Sequence, residues 1–486
     1  MFKGRKKELE LLEDLYDSKQ FEFLVLYGRR RVGKTELLKE FTKNKKPLFF
    51  SAQEKNDSLN LLDFSKTVQT YFDNDFFGEF SDWETALKYV TSKATEDRLV
   101  IVIDEFPYIA SENESIKSIF QHTIDHQWKE KNIFLVLCGS SVSFMEGEVL
   151  GSKSPLYGRS TAHLELKAFD YFDSALFFPE YSNEEKLMAY GILGGIPCYL
   201  QAFDSEKPIE KNIAREILRE GRFLKDEPIY FLKQELREPA IYNSIFEAIA
   251  GGASRINEIA TKIHEDTQKC SKYLGILQTI RLIKKAVPCG EDEASRKTIY
   301  KIADNYFSFW YHFLFEKKSF YEILGPEESA KEIMDPQSFF SYFGFVFETI
   351  CLEYMIRMAK NRKLPFIPSK YGKWWGNNPA RKCQDDIDVL LIDDKNEKYI
   401  FCECKFKGES FGKSEMEDML SRKSIFAHAK ETYFYAFSKS GFSDYVKENA
   451  SSNNITLVTV DDLFEFGHHA SYSVFLRLQS IIFQLF

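Results

Sequence analysis

The chain has no C-x-x-C pair among its eight cysteines, which removes the common zinc-ribbon and zinc-finger frameworks. Cys402-x-Cys404 is the one close pair. It falls within an apolar strand pattern, so reduced thiols in a cytoplasmic protein are expected. No long apolar run is evident: the stretch near Phe307–Phe315 is too short for a bilayer and contains His312. Met1-Phe2-Lys3-Gly4-Arg5 leads into a charged helix, so no signal peptide and no membrane partner are expected. An excess of positive charge is missing too. With 65 Lys and Arg against 74 Asp and Glu, the net charge is −9, which argues against a surface coated for non-specific nucleic-acid binding and leaves a local basic face open. There is no low-complexity tract and no internal repeat. What is present is ordinary globular material, 44% apolar and 29% charged, with 46 phenylalanines for aromatic-rich cores. At 486 residues, two to four domains are expected.

The strongest positive signal is Gly28-Arg29-Arg30-Arg31-Val32-Gly33-Lys34-Thr35, a full G-x-x-x-x-G-K-[ST] pattern. It follows a buried-strand run, Phe21–Tyr27, and precedes a helical one, Glu36–Phe41, the setting that phosphate binding requires. Glycines let backbone N–H groups turn inward around phosphate oxygens, and the helix N-terminus adds partial positive charge. In this pattern Lys34 reaches the β- and γ-phosphates and the Thr35 hydroxyl ligates Mg²⁺.

Downstream, the apolar strand Leu99–Ile103 ends in Asp104-Glu105. Asp104 is expected on Mg²⁺ and Glu105 as the base that polarises the attacking water. A third strand, Ile133–Leu137, ends in Cys138-Gly139-Ser140-Ser141; either Ser140 senses the γ-phosphate or the segment is a plain strand-end turn. Arg159, in Ser154-Pro155-Leu156-Tyr157-Gly158-Arg159, is a candidate arginine finger in cis or in trans; an ordinary solvated arginine reads the same.

Residues 4–18 read as an amphipathic helix, and strands are expected near 22–27, 48–51, 99–103 and 133–137 with helices between, hence a parallel sheet covered on both faces. From Ala168 to about Leu236 the pattern is helical, broken at Gly194-Gly195-Ile196-Pro197. Then come three helices (Ile241–Ala250, Arg255–Ile263, Thr267–Thr279) and two short strands (Leu282–Pro288, Lys297–Ile302), a winged helix-turn-helix pattern. Residues 236–305 carry 11 basic and 9 acidic side chains, a net of +2. DNA binding through Gln268, Lys269, Ser271 and Lys272 and a purely protein-packing role both remain open.

The last segment opens with an apolar helix around Phe343–Tyr354, inside which the charge of Glu348 is notable. Asp385-Asp386-Ile387-Asp388 then begins a strand, and Glu403-Cys404-Lys405 ends the next one. Residues two apart share a strand face, so Glu403 and Lys405 point together. Glu348, Asp388 and Glu403 could hold Mg²⁺ or Mn²⁺ through oxygen ligands, with Lys405 orienting a hydroxide or neutralising a phosphodiester. A row of charges on otherwise apolar strands needs a metal or mutual pairing. A charge-paired relic that does not cut gives the same pattern.

Together these pieces resemble the archaeal-type P-loop ATPases of the STAND/AAA-like group. These join an ATPase, a winged helix and a C-terminal domain similar to PD-(D/E)XK nucleases. The resemblance rests on Phe2-x-Gly4-Arg5-x-x-Glu8-Leu9, the loop at 28–35, Asp104-Glu105-Phe106-Pro107, Gly139-Ser140-Ser141, Leu156-Tyr157-Gly158-Arg159, Gly194-Gly195-Ile196-Pro197, Phe309-Trp310, Trp374-Trp375-Gly376, Asp386-Ile387-Asp388 and Glu403-Cys404-Lys405. Asp386 departs from the glutamate usual there. The resemblance implies ATP rather than GTP, and a nucleotide state that controls a DNA-directed, metal-dependent nuclease-like domain. The alternative is a non-cleaving, ATP-switched regulator or scaffold, and self-association is open in either case. The expected fold is α/β: a P-loop NTPase parallel-sheet core (1–165), a helical subdomain (166–235), a winged helix-turn-helix (236–305), a helical linker (306–334) and an α/β restriction-endonuclease-like domain (335–486).

Overall fold

The computed structural model describes residues 2–73 and 78–465. The end of the expected last domain, 466–486, lies outside the described residues. Among the described residues the chain divides into two compact units: 2–168 with 196–198 and 279–281, and 169–195 with 199–278 and 282–465.

In the first unit, helix α1 (Lys6–Asp17) precedes β1 (Glu22–Tyr27), α2 (Lys34–Thr42), β2 (Leu48–Ser51), β3 (Leu99–Asp104), α3 (Phe106–Glu112), β4 (Ile133–Gly139) and β5 (Ala162–Glu165). The strands form one parallel sheet in the order β2-β3-β4-β1-β5. Every residue of β3 and β4 is buried, as expected for parallel strands sandwiched between helices. One face packs into an aromatic-rich core with Phe64, Trp83, Phe106, Phe120 and Trp128. β4 lies between β1 and β3, so its C-terminal tip sits between the loop after β1 and the acids after β3. Ligands of such sheets bind at the carboxyl ends of the strands.

The second unit contains the helix Asn183–Leu193 (α4), then helices α5 (Pro239–Ala250), α6 (Ile256–Lys262) and α7 (Thr267–Thr279), followed by an antiparallel hairpin of β6 (Ile283–Ala286) and β7 (Ile299–Ile302). Helix α8 (Pro336–Lys360) leads into β8 (Lys370–Asn378), β9 (Cys383–Asp393), β10 (Lys398–Lys405), helix α9 (Lys413–Ser421), β11 (Glu431–Ser438) and β12 (Ile455–Thr459). These strands form a mixed sheet in the order β12-β11-β10-β9-β8, antiparallel at β8–β9–β10 and parallel beyond.

One expectation needs correction. The longest apolar element is α8, not the stretch near 307–315. Its 25 residues and mean hydropathy of 1.3 over an 18-residue window reach the length and composition of a membrane span. Half of that window is buried inside the protein, and the helix carries Glu348 and Glu353 in polar contacts, which suits a core helix.

Candidate functional site

The loop between β1 and α2 is built by close backbone approach. A Cβ on Gly28 would lie 2.4 Å from the Leu166 carbonyl oxygen, and Gly33 holds φ at 95° as it enters α2. Lys34 is buried, its Nζ donating to the Gly28 and Arg29 carbonyls at 2.9 and 3.2 Å. Burial pulls its pKa below the usual lysine range, partly offset by Cys138, Glu105 and Asp104 nearby. Arg5 braces the loop from outside: its Nη2 donates to the Val32 carbonyl at 3.1 Å, and Glu8 pairs with Nη1 at 3.2 Å. Pro197 also lies against the loop, 3.7 Å from where a Gly33 Cβ would be.

Thr35 and Asp104 converge, the Thr35 hydroxyl donating to Asp104 Oδ2 at 2.8 Å. A hydroxyl and a carboxylate oxygen at this spacing suit the oxygen-only coordination of Mg²⁺. Glu105 sits in the left-handed region at φ 53°. Its Oε2 accepts from the Ser140 hydroxyl at 2.9 Å and from the Ser140 backbone N–H at 3.2 Å. A non-glycine residue held in this region carries strain that the surrounding structure must sustain, and such residues gather at functional sites. Cys138, fully buried between Asp104 and Lys34, has its thiol pKa pushed up by burial. Arg159 lies elsewhere in its hydrogen bonding. Its Nε and Nη2 donate to Asp125 Oδ2 at 3.0 and 2.7 Å, and Nη1 to the Pro155 and Tyr157 carbonyls.

The second set of acids, on α8, β9 and β10, is also drawn together, but around protein cations. Lys373 on β8 places its Nζ 2.8 Å from Glu348, 2.9 Å from Asp386 and 3.6 Å from Asp388. Burial alone would lower the Lys373 pKa; Glu348, Asp388 and Asp386 overcome it and raise it. Glu348 is raised by burial, with Lys373 opposing. Arg422, just after α9, bonds both Glu403 and Asp385, and Lys405 lies 2.6 Å from Glu403. Glu403 is raised by burial and by Asp388, with Arg422 and Lys405 opposing. Asp388 Oδ2 also accepts the Cys404 backbone N–H at 2.8 Å. Among the described residues, no cluster of three or more His, Cys, Asp or Glu is arranged to hold a metal ion.

Sequence reasoning therefore names the loop, both acids of Asp104-Glu105 and the charged strand residues. It misses Arg5 as the loop's brace, and it misses Lys373 and Arg422 altogether. The Phe2-x-Gly4-Arg5-x-x-Glu8 opening was the available signal for Arg5. Lys373 and Arg422 reach their partners across 13 and 19 positions or more, and no local pattern marks them.

Residues 2–203 match the family described as an ATPase domain predominantly from Archaea. Residues 310–419 match a family described as Archaea bacterial proteins of unknown function. The chain is 33% identical over 408 residues to an uncharacterized protein of Methanocaldococcus jannaschii, covering 84% of this chain and 88% of that one. It is 54% identical over 46 residues to an uncharacterized ATP-binding protein of the same organism, covering 10% of this chain and 78% of that one. Among solved structures it is similar to a Walker-type ATPase of Pyrococcus abyssi, with 20% identity, a TM-score of 0.49 and coverage of 64% of this chain and 96% of that one. The ORC2 protein of Aeropyrum pernix is similar at 13% identity and a TM-score of 0.34, covering 68% of this chain and 94% of that one. The chain belongs to the family of the first Methanocaldococcus relative, and its N-terminal part is an ATPase domain of the predominantly archaeal kind.

Proposed function

We propose that this protein hydrolyses ATP in the loop at 28–35 and that its nucleotide state controls the C-terminal domain, which acts on DNA. The observation that carries the ATPase reading is the Glu105 carboxylate, fixed by two donors from Ser140 beside the Thr35–Asp104 pair. In this reading the backbone N–H groups of Gly28 to Gly33 and the N-terminus of α2 receive the β- and γ-phosphates. Lys34 leaves the Gly28 and Arg29 carbonyls for the phosphate oxygens. Thr35 and Asp104 hold Mg²⁺, which when bound neutralises charge building on the phosphates. Glu105 takes the proton of the attacking water, and Ser140 holds its carboxylate in line. A finger role for Arg159 requires its guanidinium to leave Asp125. Phosphate release measured beside Lys34→Ala and Glu105→Gln tests the assignment.

Helices α5 to α7 with the β6–β7 hairpin support a winged-helix reading. The arrangement of Glu348, Asp388, Glu403 and Lys405 on a helix and two adjacent strands supports a PD-(D/E)XK-like one. In that reading the three acids hold Mg²⁺ or Mn²⁺ and Lys405 neutralises the phosphodiester. The second reading, a non-cleaving regulator, is favoured by one observation: Lys373 beside Glu348 and Asp388, and Arg422 beside Glu403, already supply the countercharge those acids need. Plasmid incubated with Mg²⁺ or Mn²⁺, with and without ATP, beside Lys405→Ala, separates the two.

A further inference from the structure

Arg281 stands two residues after α7 and two before β6, with its backbone in the left-handed region at φ 61°. The Thr279–Arg281 segment belongs to the first unit, whereas the chain on either side of it belongs to the second. Two carboxylates meet its guanidinium. Nε donates to Glu165 Oε1 at 2.8 Å, and Nη2 donates to Glu146 Oε1 at 2.7 Å. Each carboxylate rides on a segment that flanks the nucleotide loop. Glu165 ends β5 and lies opposite Tyr27, the residue before Gly28. Leu166 comes next. Its backbone N–H donates to the Tyr27 carbonyl at 2.7 Å, and its own carbonyl oxygen is the atom that a Cβ on Gly28 would meet at 2.4 Å. Glu146 lies in the helical turn Met145–Val149 that follows β4. The Met145 backbone N–H donates to the Ser141 carbonyl at 3.0 Å, and its Sδ lies 2.7 Å from where a Gly139 Cβ would be. Gly139 precedes Ser140, which holds Glu105. The Arg281 fork thus joins the segment beside Gly28 to the segment beside Ser140. Tyr27 feels the same charges: burial pushes its hydroxyl pKa up, Glu146 and Glu165 add to the rise, and Arg281 opposes it. The side chains of Arg281, Glu146 and Glu165 are 45%, 36% and 18% exposed. Pairs exposed to this degree add little to stability and are screened by salt, so the fork orients two segments more than it staples the fold.

We infer that Arg281 is a positioning residue of the ATP site and that nucleotide state passes through it to the chain running from α7 into β6. Its hold on Glu165 sets Leu166 against the Gly28 turn, where phosphate is received. Its hold on Glu146 sets Met145 against Gly139 and so supports the Ser140–Glu105 contact, where water is activated. The inference rests on the ATPase reading of the loop. Coupling between sites is reciprocal, so a nucleotide that shifts either segment also shifts Arg281 and the residues joined to it.

The test uses the full chain with ATP and Mg²⁺, and reads KM and kcat of phosphate release. Glu165→Gln is expected to raise KM by about three- to fivefold with kcat near wild type, the size of effect a half-exposed ion pair gives. Glu146→Gln is expected to lower kcat by about the same factor with KM near wild type, and Arg281→Gln to do both. The charge swap Arg281→Glu with Glu165→Arg is expected to recover KM but not kcat, because Glu146 then faces a like charge. Hydrogen exchange across residues 276–286 is expected to slow on ATP binding in the wild type and to stay unchanged in Arg281→Gln. The split with recovery of KM supports the positioning role. Wild-type kinetics in all three single variants, or an equal loss in all three without recovery by the swap, overturns it. Exchange at 276–286 that ATP leaves unchanged in the wild type overturns the passage to α7 and β6. A wild type that neither binds nor hydrolyses ATP overturns the ATPase reading beneath both. Glu146→Gln and Glu165→Gln are isosteric changes at partly exposed side chains, and their opposite signatures decide the case even if Arg281→Gln does not fold.

Discussion

Ser140 holds Glu105 by two hydrogen bonds to one carboxylate oxygen, 2.9 Å from its hydroxyl and 3.2 Å from its backbone N–H, across 35 positions of sequence. The contact exists because β4 lies between β1 and β3, which brings the tip of β4 beside the residue that ends β3. Glu105 meets it only by adopting φ 53°. A carboxylate held this way has one oxygen occupied and its orientation fixed, which supports the proposed role of Glu105 as a base for water.

Glu105→Gln keeps shape and loses basicity. ATP turnover is expected to fall by about 10²- to 10⁴-fold while nucleotide affinity stays near wild type. Ser140→Ala leaves the base but removes its orienting hydroxyl, so a smaller loss of about 10- to 100-fold in kcat is expected. Steady-state phosphate release with a separate fluorescent-nucleotide titration checks both. Equal losses in the two variants would show that Ser140 does more than orient.

Arg5 touches the phosphate-binding loop through the Val32 carbonyl at 3.1 Å. Removing a charged, buried donor costs on the order of 1–3 kcal/mol, here drawn from the order of the loop. Arg5→Ala is expected to weaken ATP binding by about tenfold or more, read by isothermal titration. Unchanged affinity would mean that Gly28 and Gly33 set the loop without the brace.

Glu353 gives a pH prediction. Burial, then the negative charge of Asp170, pushes its pKa up from 4.5 to about 7; the Tyr171 backbone N–H and the Tyr190 hydroxyl hold it back only partly. A carboxyl raised in the fold contributes stability that is complete below its unfolded value and lost as pH rises through the folded one. The second unit should therefore lose on the order of 2–3 kcal/mol between about pH 4.5 and pH 7 from this group. Glu353→Gln, whose amide can donate to Tyr190 and accept from Tyr171, is expected to flatten that slope. Denaturant midpoints at pH 5 and pH 8 measure it. A slope equal to that of wild type would remove Glu353 as its source.

What the sequence shows depends on how local the cause is. The Gly28–Thr35 loop is legible because its spacing is its mechanism, and the strands expected near 22–27, 99–103 and 133–137 are legible because burial on both faces forces continuous apolar runs. β5 is not, since Ala162–Glu165 is a short edge strand with no fully buried residue. Glu348, Asp388, Glu403 and Lys405 stand out as charges on apolar elements. Their partners Lys373 and Arg422 do not, because an edge strand and a post-helical turn bring them in. The direction of Arg159 is set by Asp125, 34 positions away, and no local rule would send it there.

The central claim is ATP hydrolysis at the loop whose lysine donates to the Gly28 carbonyl at 2.9 Å. The most direct test is the rate of phosphate release from ATP by the wild-type chain and by Lys34→Ala, with Mg²⁺ present and folding checked by circular dichroism. The account predicts turnover in the wild type and a loss of about 10²-fold or more in the variant. A folded Lys34→Ala protein that releases phosphate at the wild-type rate would contradict it.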